Sequence, residues 1–136
     1  MPRRIAVFFY GLFMDADILR SKAIDPAGPR RASVSGFALR IGQRATLVPD
    51  PDGRAHGVLM ELQHEEIDRL YADPSVQMYR PEAVVAEIGD GSRIAALCFN
   101  LPVAPGPDER NEGYAAKLRD LARRLNLPDD YIERIG

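Results

Sequence analysis

The stretch Ile5-Ala6-Val7-Phe8-Phe9-Tyr10 is a continuous run of apolar, β-branched and aromatic residues that ends at Gly11. A short run of this kind is typical of a strand buried on both faces, so it predicts the central strand of a sheet. Asp15 and Asp17 follow within a few residues, where acidic side chains favour the start of a helix. The sequence therefore predicts a strand followed directly by a short helix over residues 15–23.

The strands predicted outward from this run are separated by turn residues. Residues 33–41 alternate between apolar and polar, and Gly36 marks a bulge among them. The Pro and Asp-Gly residues of 49–53 predict a hairpin turn between strands at 45–48 and 56–62. Gly89-Asp90-Gly91-Ser92 predicts a second hairpin, between strands at 79–88 and 93–100. The sheet is thus expected to have about six strands.

Two further helices are predicted from apolar periodicity, over residues 65–72 and 112–125. The apolar face of the second helix suits either the protein core or a dimer interface, and the sequence leaves both open. The predicted fold class is α+β. Residues 1–136 are expected to form one domain, a mixed, largely antiparallel curled sheet or small β-barrel with short peripheral helices.

Composition excludes several function classes. The 136 residues carry a net charge of −2 with 46% hydrophobic residues, so we expect a packed core and no nucleic-acid partner. One cysteine, Cys98, and two histidines, His56 and His64, cannot complete a His/Cys zinc site, and no metal or other cofactor is predicted. No apolar run is long enough to span a membrane, and no signal-peptide pattern is present. We therefore expect no membrane partner and a cytoplasmic location.

The glycine after the first strand has a chemical interpretation as well as a structural one. At a strand-to-helix turn, glycine lets successive backbone N–H groups point into a cavity, where they can hold an anion or an oxyanion. An ordinary turn with a glycine that fits the backbone explains the same residues. The candidate binding residues at this turn are Tyr10, Gly11, Leu12 and Phe13.

The order of these features resembles the γ-glutamylcyclotransferase-like (AIG2-like) family over nearly the whole chain. The resemblance consists of the following features in order: a Tyr-Gly-x-x turn at Tyr10, a strand ending in Gly57-Val58-Leu59-Met60-Glu61-Leu62, a short helix, the pair Tyr79-Arg80, and an Asn-x-x-Tyr helix at Asn111. It implies a small β-barrel with a cavity above the Tyr-Gly-x-x turn. It also implies attack of a γ-glutamyl α-amine on its own γ-carbonyl, releasing 5-oxoproline and an amine, without a cofactor.

The chain departs from the family at the residue expected to move protons. Active members have a glutamate in a pattern like Leu-Asp-x-x-Glu-Gly, and alignment from Leu70 puts Pro74 at that position. Asp73 is the candidate replacement base, and a helix-terminal aspartate without a catalytic role is its alternative interpretation. Glu82 is a second acid nearby, which strand alternation places toward solvent.

Two residues remain as candidates for ligand binding. Tyr79 matches the family's tyrosine, whose hydroxyl reaches the cavity, and Arg44 suits either a substrate carboxylate or the protein surface. The hypotheses for function are therefore a cyclotransferase acting on a small γ-glutamyl amine or peptide, and a non-catalytic member that binds a small carboxylate metabolite in the same cavity. The sequence does not determine the substrate or the oligomeric state.

Overall fold

A computed structural model describes residues 3–136 as a closed five-stranded barrel with short helices outside it. The strands are β1 (Arg4–Phe9), β2 (Ala27–Ile41), β3 (Ala45–Gln63), β4 (Arg80–Ile88) and β5 (Arg93–Asn100). They are ordered β1-β3-β2-β4-β5, and the parallel pairing of Val7 with Leu97 closes the barrel between β1 and β5. The predicted α+β class is confirmed, with the barrel rather than an open curled sheet.

The predicted hairpin at residues 49–53 is wrong, and five strands replace the expected six. Both flanking segments belong to one strand, β3, which pairs antiparallel with β2 on either side of the Pro and Asp-Gly residues. Ser35 pairs with Arg54 and Phe37 pairs with Pro49, so the four residues 50–53 of β3 lie opposite Gly36 alone. The turn residues are therefore accommodated as an irregular bulge within β3. Gly36, with φ of +86°, is the bulge predicted from the sequence.

In the described residues, four α-helices pack outside the barrel: α1 (Ala16–Ser21), α2 (His64–Ala72), α3 (Glu112–Arg124) and α4 (Asp129–Glu133). The side chain of Asp15 accepts a hydrogen bond from the Asp17 N–H at 3.0 Å, which caps α1 as predicted. In α2, the side chains of Gln63 and Glu66 form a reciprocal capping box. These caps fix where α1 and α2 begin.

Within residues 3–136 the protein has two hydrophobic clusters, and β1 contributes side chains to both. Phe8 and Tyr10 point into the barrel, while Val7 and Phe9 point to the opposite face, where the helices pack. The apolar face of α3 is buried there, with Leu118 and Ala122 fully inaccessible. This face therefore serves the chain's own core, one of the two roles the sequence left open. No helix among residues 3–136 is long and apolar enough to cross a membrane.

Candidate functional site

A cavity of about 480 Å³ opens where β1 ends, a volume typical of small-molecule sites. Its walls come from the segment after β1, the β2–β3 connection, the end of α2 with the loop that follows, β5 and α3. The residues that line it are Phe8, Phe9, Tyr10, Gly11, Leu12, Phe13, Lys22, Gln43, Arg44, Ala45, Tyr71, Ser75, Val76, Tyr79, Phe99 and Tyr114. All five residues predicted to bind substrate, Tyr10 to Phe13 and Tyr79, are in this set.

The Tyr-Gly-x-x segment lines the cavity and contains a single 3₁₀ turn, Leu12–Met14. The Leu12 N–H donates to the hydroxyl oxygen of Tyr114 at 3.3 Å, so this amide already has a partner from α3. A Cβ added to Gly11 would lie 2.6 Å from the same oxygen. The φ of Gly11 is −107°, which other residues also adopt. Glycine is needed here because the side chain of Tyr114, from a distant helix, approaches the backbone closely.

Tyr10 and Tyr79 are fixed by hydrogen bonds to backbone carbonyls. The Tyr10 hydroxyl donates to the carbonyl oxygen of Phe99 at 2.6 Å, and the Tyr79 hydroxyl donates to that of Ala45. Burial raises the pKa of Tyr10 well above its ordinary value, and burial together with the neighbouring Tyr114 raises the pKa of Tyr79 to about 12. Both phenols are therefore neutral at physiological pH and hold the cavity walls in place.

Tyr71 is a cavity residue that sequence reasoning missed as a site residue. Its ring stacks on Phe99 with centroids 3.9 Å apart and meets Phe13 edge to face at 6.2 Å. Within residues 3–136 its hydroxyl has no hydrogen-bond partner, unlike those of Tyr10, Tyr79 and Tyr114. Burial raises its pKa above the ordinary tyrosine value. Its helical spacing with Ile67 indicated only a core residue, because the sequence does not show that α2 ends at the cavity.

The positive charge of the site lies at its mouth. Lys22 and Arg44 both line the cavity and are exposed. Arg44 donates from Nε to the carbonyl oxygen of Ser75 at 3.2 Å, which leaves its terminal nitrogens available to a carboxylate. Arg44 therefore lines the cavity and is also exposed at the surface, so both interpretations offered by the sequence stay open.

The predicted base, Asp73, does not line the cavity. It follows α2 directly, and its carboxylate accepts hydrogen bonds from the N–H and the hydroxyl of Ser75 at 2.9 and 2.8 Å. These bonds, with Lys22 nearby at 3.9 Å, lower the pKa of Asp73. Glu82 is exposed as predicted and accepts a hydrogen bond from Asn100, away from the cavity lining. No aspartate or glutamate of the described chain is among the lining residues.

The other chemically reactive side chains lie elsewhere. Cys98 is a fully buried free thiol, as predicted, and burial raises its pKa to about 12. His56 packs against Tyr131, and His64 lies 3.6 Å from Asp68 on the surface of α2. Residues 3–136 contain no group of three or more His, Cys, Asp or Glu side chains placed to hold a metal ion.

A small closed barrel with a cavity above a Tyr-Gly-x-x turn defines the γ-glutamylcyclotransferase-like class. Residues 7–117 match the family described as γ-glutamyl cyclotransferase, AIG2-like, and the chain belongs to that family. None of the curated proteins matches the chain.

Solved structures of similar fold cover almost the whole chain. YkqA from Bacillus subtilis has 25% sequence identity and a TM-score of 0.78, over 97% of this chain and 52% of its own. A γ-glutamyl cyclotransferase has 18% identity and a TM-score of 0.78, over 98% of this chain and 86% of its own. The uncharacterized protein loc79017 from Homo sapiens has 20% identity and a TM-score of 0.77, over 97% and 86%. The chain thus spans about half the length of YkqA, and the likeness to the other two shows the fold alone.

Proposed function

We propose that this protein binds a small carboxylate metabolite in the cavity without cyclising it. The observation that carries the proposal is the charge of the lining, which includes Lys22 and Arg44 and no acidic side chain among the described residues. A carboxylate entering such a site gains charge-assisted hydrogen bonds at the mouth. The expected cytoplasmic location and the expected lack of a cofactor, of nucleic acid and of a membrane partner remain part of this proposal.

The same lining lacks a base for ring closure. Attack by a γ-glutamyl α-amine requires removal of an ammonium proton by a group within hydrogen-bond reach. Tyr10, Tyr71, Tyr79 and Tyr114 all have a pKa raised by burial, so their phenols stay protonated and cannot accept that proton near neutral pH. Binding without turnover is the outcome that these groups support.

The register of the family pattern agrees with this interpretation. Leu-Asp-x-x-Glu-Gly also fits the chain from Ile67, as Ile67-Asp68-Arg69-Leu70-Tyr71-Ala72, with an isoleucine for the leucine. This register puts Tyr71, a lining residue, at the glutamate position, whereas the register from Leu70 puts there Pro74, which does not line the cavity. We take the register from Ile67 as the better alignment. The proton-moving carboxylate is then replaced by a phenol.

Cyclotransferase activity with Asp73 as base is the second candidate, and one contact favours it. Both groups near the Asp73 carboxylate, Ser75 and Lys22, line the cavity mouth. A change of side-chain rotamer would bring that carboxylate toward a bound ammonium. Against it, the hydrogen bonds from Ser75 that lower the pKa of Asp73 make it a weaker base.

An assay for 5-oxoproline separates the two candidates. The purified protein is incubated with γ-glutamyl amino acids, γ-glutamyl-ε-lysine and glutathione, and melting temperature is measured with these compounds and with simple carboxylates. The proposal predicts no 5-oxoproline above background and a rise in melting temperature with at least one carboxylate. Cyclisation that Asp73→Asn reduces about 10²- to 10⁴-fold would instead establish Asp73 as the base. If nothing cyclises and nothing binds, the family membership has given the fold only.

A further inference from the structure

We infer that the cavity selects ligands whose buried part accepts hydrogen bonds and carries no ammonium group. The Tyr71 hydroxyl is the donor that forms a hydrogen bond with this part of the ligand. The inference rests on the proposed function, because it specifies the ligand of the same cavity. It concerns specificity, and it follows from an inventory of the donors and acceptors that the lining residues leave unused.

Two hydroxyl protons of the cavity lining are unused. The Tyr71 hydroxyl makes no hydrogen bond within residues 3–136, although its ring is held between Phe99 and Phe13. The Tyr114 hydroxyl accepts the Leu12 N–H, and this leaves its own proton free to donate. Tyr71 and Tyr114 both line the cavity. The cavity therefore offers a ligand oxygen two neutral O–H donors.

The backbone acceptors of the lining are largely occupied. Carbonyl oxygens of lining residues already receive hydrogen bonds as follows: Phe99 from Tyr10, Ala45 from Tyr79, Ser75 from Arg44, Gly11 from the Met14 N–H, and Leu12 from the Asp15 N–H. The bonds that fix the walls therefore already use these oxygens as acceptors. The side-chain acceptors left in the lining are neutral: the Gln43 amide and the Ser75 hydroxyl at the exposed mouth, and the hydroxyl oxygens of Tyr10 and Tyr79, whose protons are already donated.

An ammonium group in this cavity would lack an anionic partner. Its three donors would meet only neutral acceptors in the lining, and the two charged side chains there, Lys22 and Arg44, would repel it. Leaving a buried charged donor unsatisfied costs more than leaving a neutral one. A carboxylate at the mouth with an acceptor such as an amide carbonyl inside has the complementary pattern, and the rings of Phe13, Tyr71 and Phe99 pack against its apolar chain.

A matched pair of probes tests the inference directly. Glutaryl-alanine and γ-glutamyl-alanine share one skeleton and differ only in the α-ammonium group. Titration calorimetry on the unaltered chain is expected to show glutaryl-alanine binding at least tenfold more tightly. Equal affinity, or tighter binding of γ-glutamyl-alanine, would overturn the inference and leave the proposed function standing. Failure of both probes to bind would overturn the two together.

Variants at position 71 test the role of the tyrosine. Tyr71→Phe removes the hydroxyl alone and is expected to weaken glutaryl-alanine binding about ten- to hundredfold, the range for a hydrogen bond to a strong acceptor. Tyr131→Phe, which alters a tyrosine outside the cavity beside His56, is the matched control and should leave the affinity unchanged. Unchanged binding by Tyr71→Phe would show that the Tyr71 hydroxyl makes no hydrogen bond to the ligand.

A charge reversal provides the complementary measurement. Tyr71→Glu supplies the missing anionic acceptor and should invert the preference toward γ-glutamyl-alanine, whereas Tyr71→Gln, of nearly equal size and no charge, should not. Inversion by both variants, or by neither, would contradict the charge argument. Circular dichroism establishes whether each variant folds, and the wild-type pair together with Tyr71→Phe decides the question if the glutamate variant does not.

Discussion

The contact between Gly11 and Tyr114 makes a quantitative prediction about stability. A Cβ at position 11 would lie 2.6 Å from the Tyr114 hydroxyl oxygen but 4.0 Å from the ring carbon that carries it. The first distance requires movement, and the second is ordinary van der Waals contact. Gly11 has φ −107° and ψ −154°, an extended conformation that alanine adopts without strain. The whole penalty of Gly11→Ala therefore arises from one oxygen atom.

The expected magnitudes follow from this geometry. With Tyr114 present, Gly11→Ala should lower the free energy of unfolding by about 2–4 kcal/mol, combining overpacking with loss of the Leu12 hydrogen bond. In a Tyr114→Phe background the oxygen is absent, and the same substitution should be neutral or raise the stability by up to about 1 kcal/mol through the unfolded chain. Tyr114→Phe alone carries its own cost, because it leaves the Leu12 N–H without a partner.

The assay is urea unfolding of the four proteins of this double-mutant cycle, followed by circular dichroism and extrapolated linearly to water. The expected coupling energy is about 2 kcal/mol or more, well above the additivity error of about 0.5 kcal/mol for independent sites. An equal loss from Gly11→Ala in both backgrounds would refute the reasoning, because the glycine would then be required by the backbone alone. The conformation of the turn at Gly11 would in that case not depend on α3.

Two further predictions concern groups away from the cavity. Burial lowers the pKa of His56, so protonation of this side chain favours the unfolded state. The free energy of unfolding should therefore fall as the pH drops below about 6.5, the pKa of histidine in the unfolded chain, and level off below the pKa of the folded state. Thermal melting between pH 7.5 and 5 should show this fall, and a His56→Gln variant that keeps the full slope would contradict it. Glu66 accepts hydrogen bonds from the N–H groups of Gln63 and Asp25, each at 2.8 Å. Glu66→Gln should therefore lower the free energy of unfolding, measured with urea, by about 1.5–3 kcal/mol. A loss below the measurement error would show that these bonds contribute nothing net.

Local patterns in the sequence were sufficient for most of the fold. The apolar run at Ile5 identified β1, and acidic residues near position 15 located the start of α1. The bulge at Gly36 was predicted as well, but its counterpart in β3 was mistaken for a hairpin turn. Turn residues in the sequence show that the chain deviates from a regular strand; they do not show whether it reverses direction. That depends on β2, which pairs with β3 on both sides of the irregularity.

The cavity residues predicted from the sequence are Tyr10 to Phe13, which form one segment, and Tyr79. The glycine after the strand left an ordinary turn open as the alternative, and the family resemblance favoured the cavity. Tyr71 and Tyr114 come from α2 and α3, and their helical spacing describes equally well a residue of the core and a residue of the cavity wall. Which of the two holds depends on where each helix ends relative to the barrel. Only the tertiary structure supplies that information.

The polarity of the cavity is a consequence of how its walls are fixed. Buried phenols need hydrogen-bond partners, and in this barrel Tyr10 and Tyr79 find them in the backbone carbonyls of Phe99 and Ala45. Each such bond occupies a carbonyl oxygen and uses the only proton of the phenol, whose oxygen stays a neutral acceptor. A wall built from tyrosines therefore contains no anionic acceptor unless an acidic side chain is added to it. Under the proposed specificity, Tyr71 near the end of α2 makes that difference, so Tyr71→Glu is expected to convert a cavity that excludes an ammonium into one that accepts it.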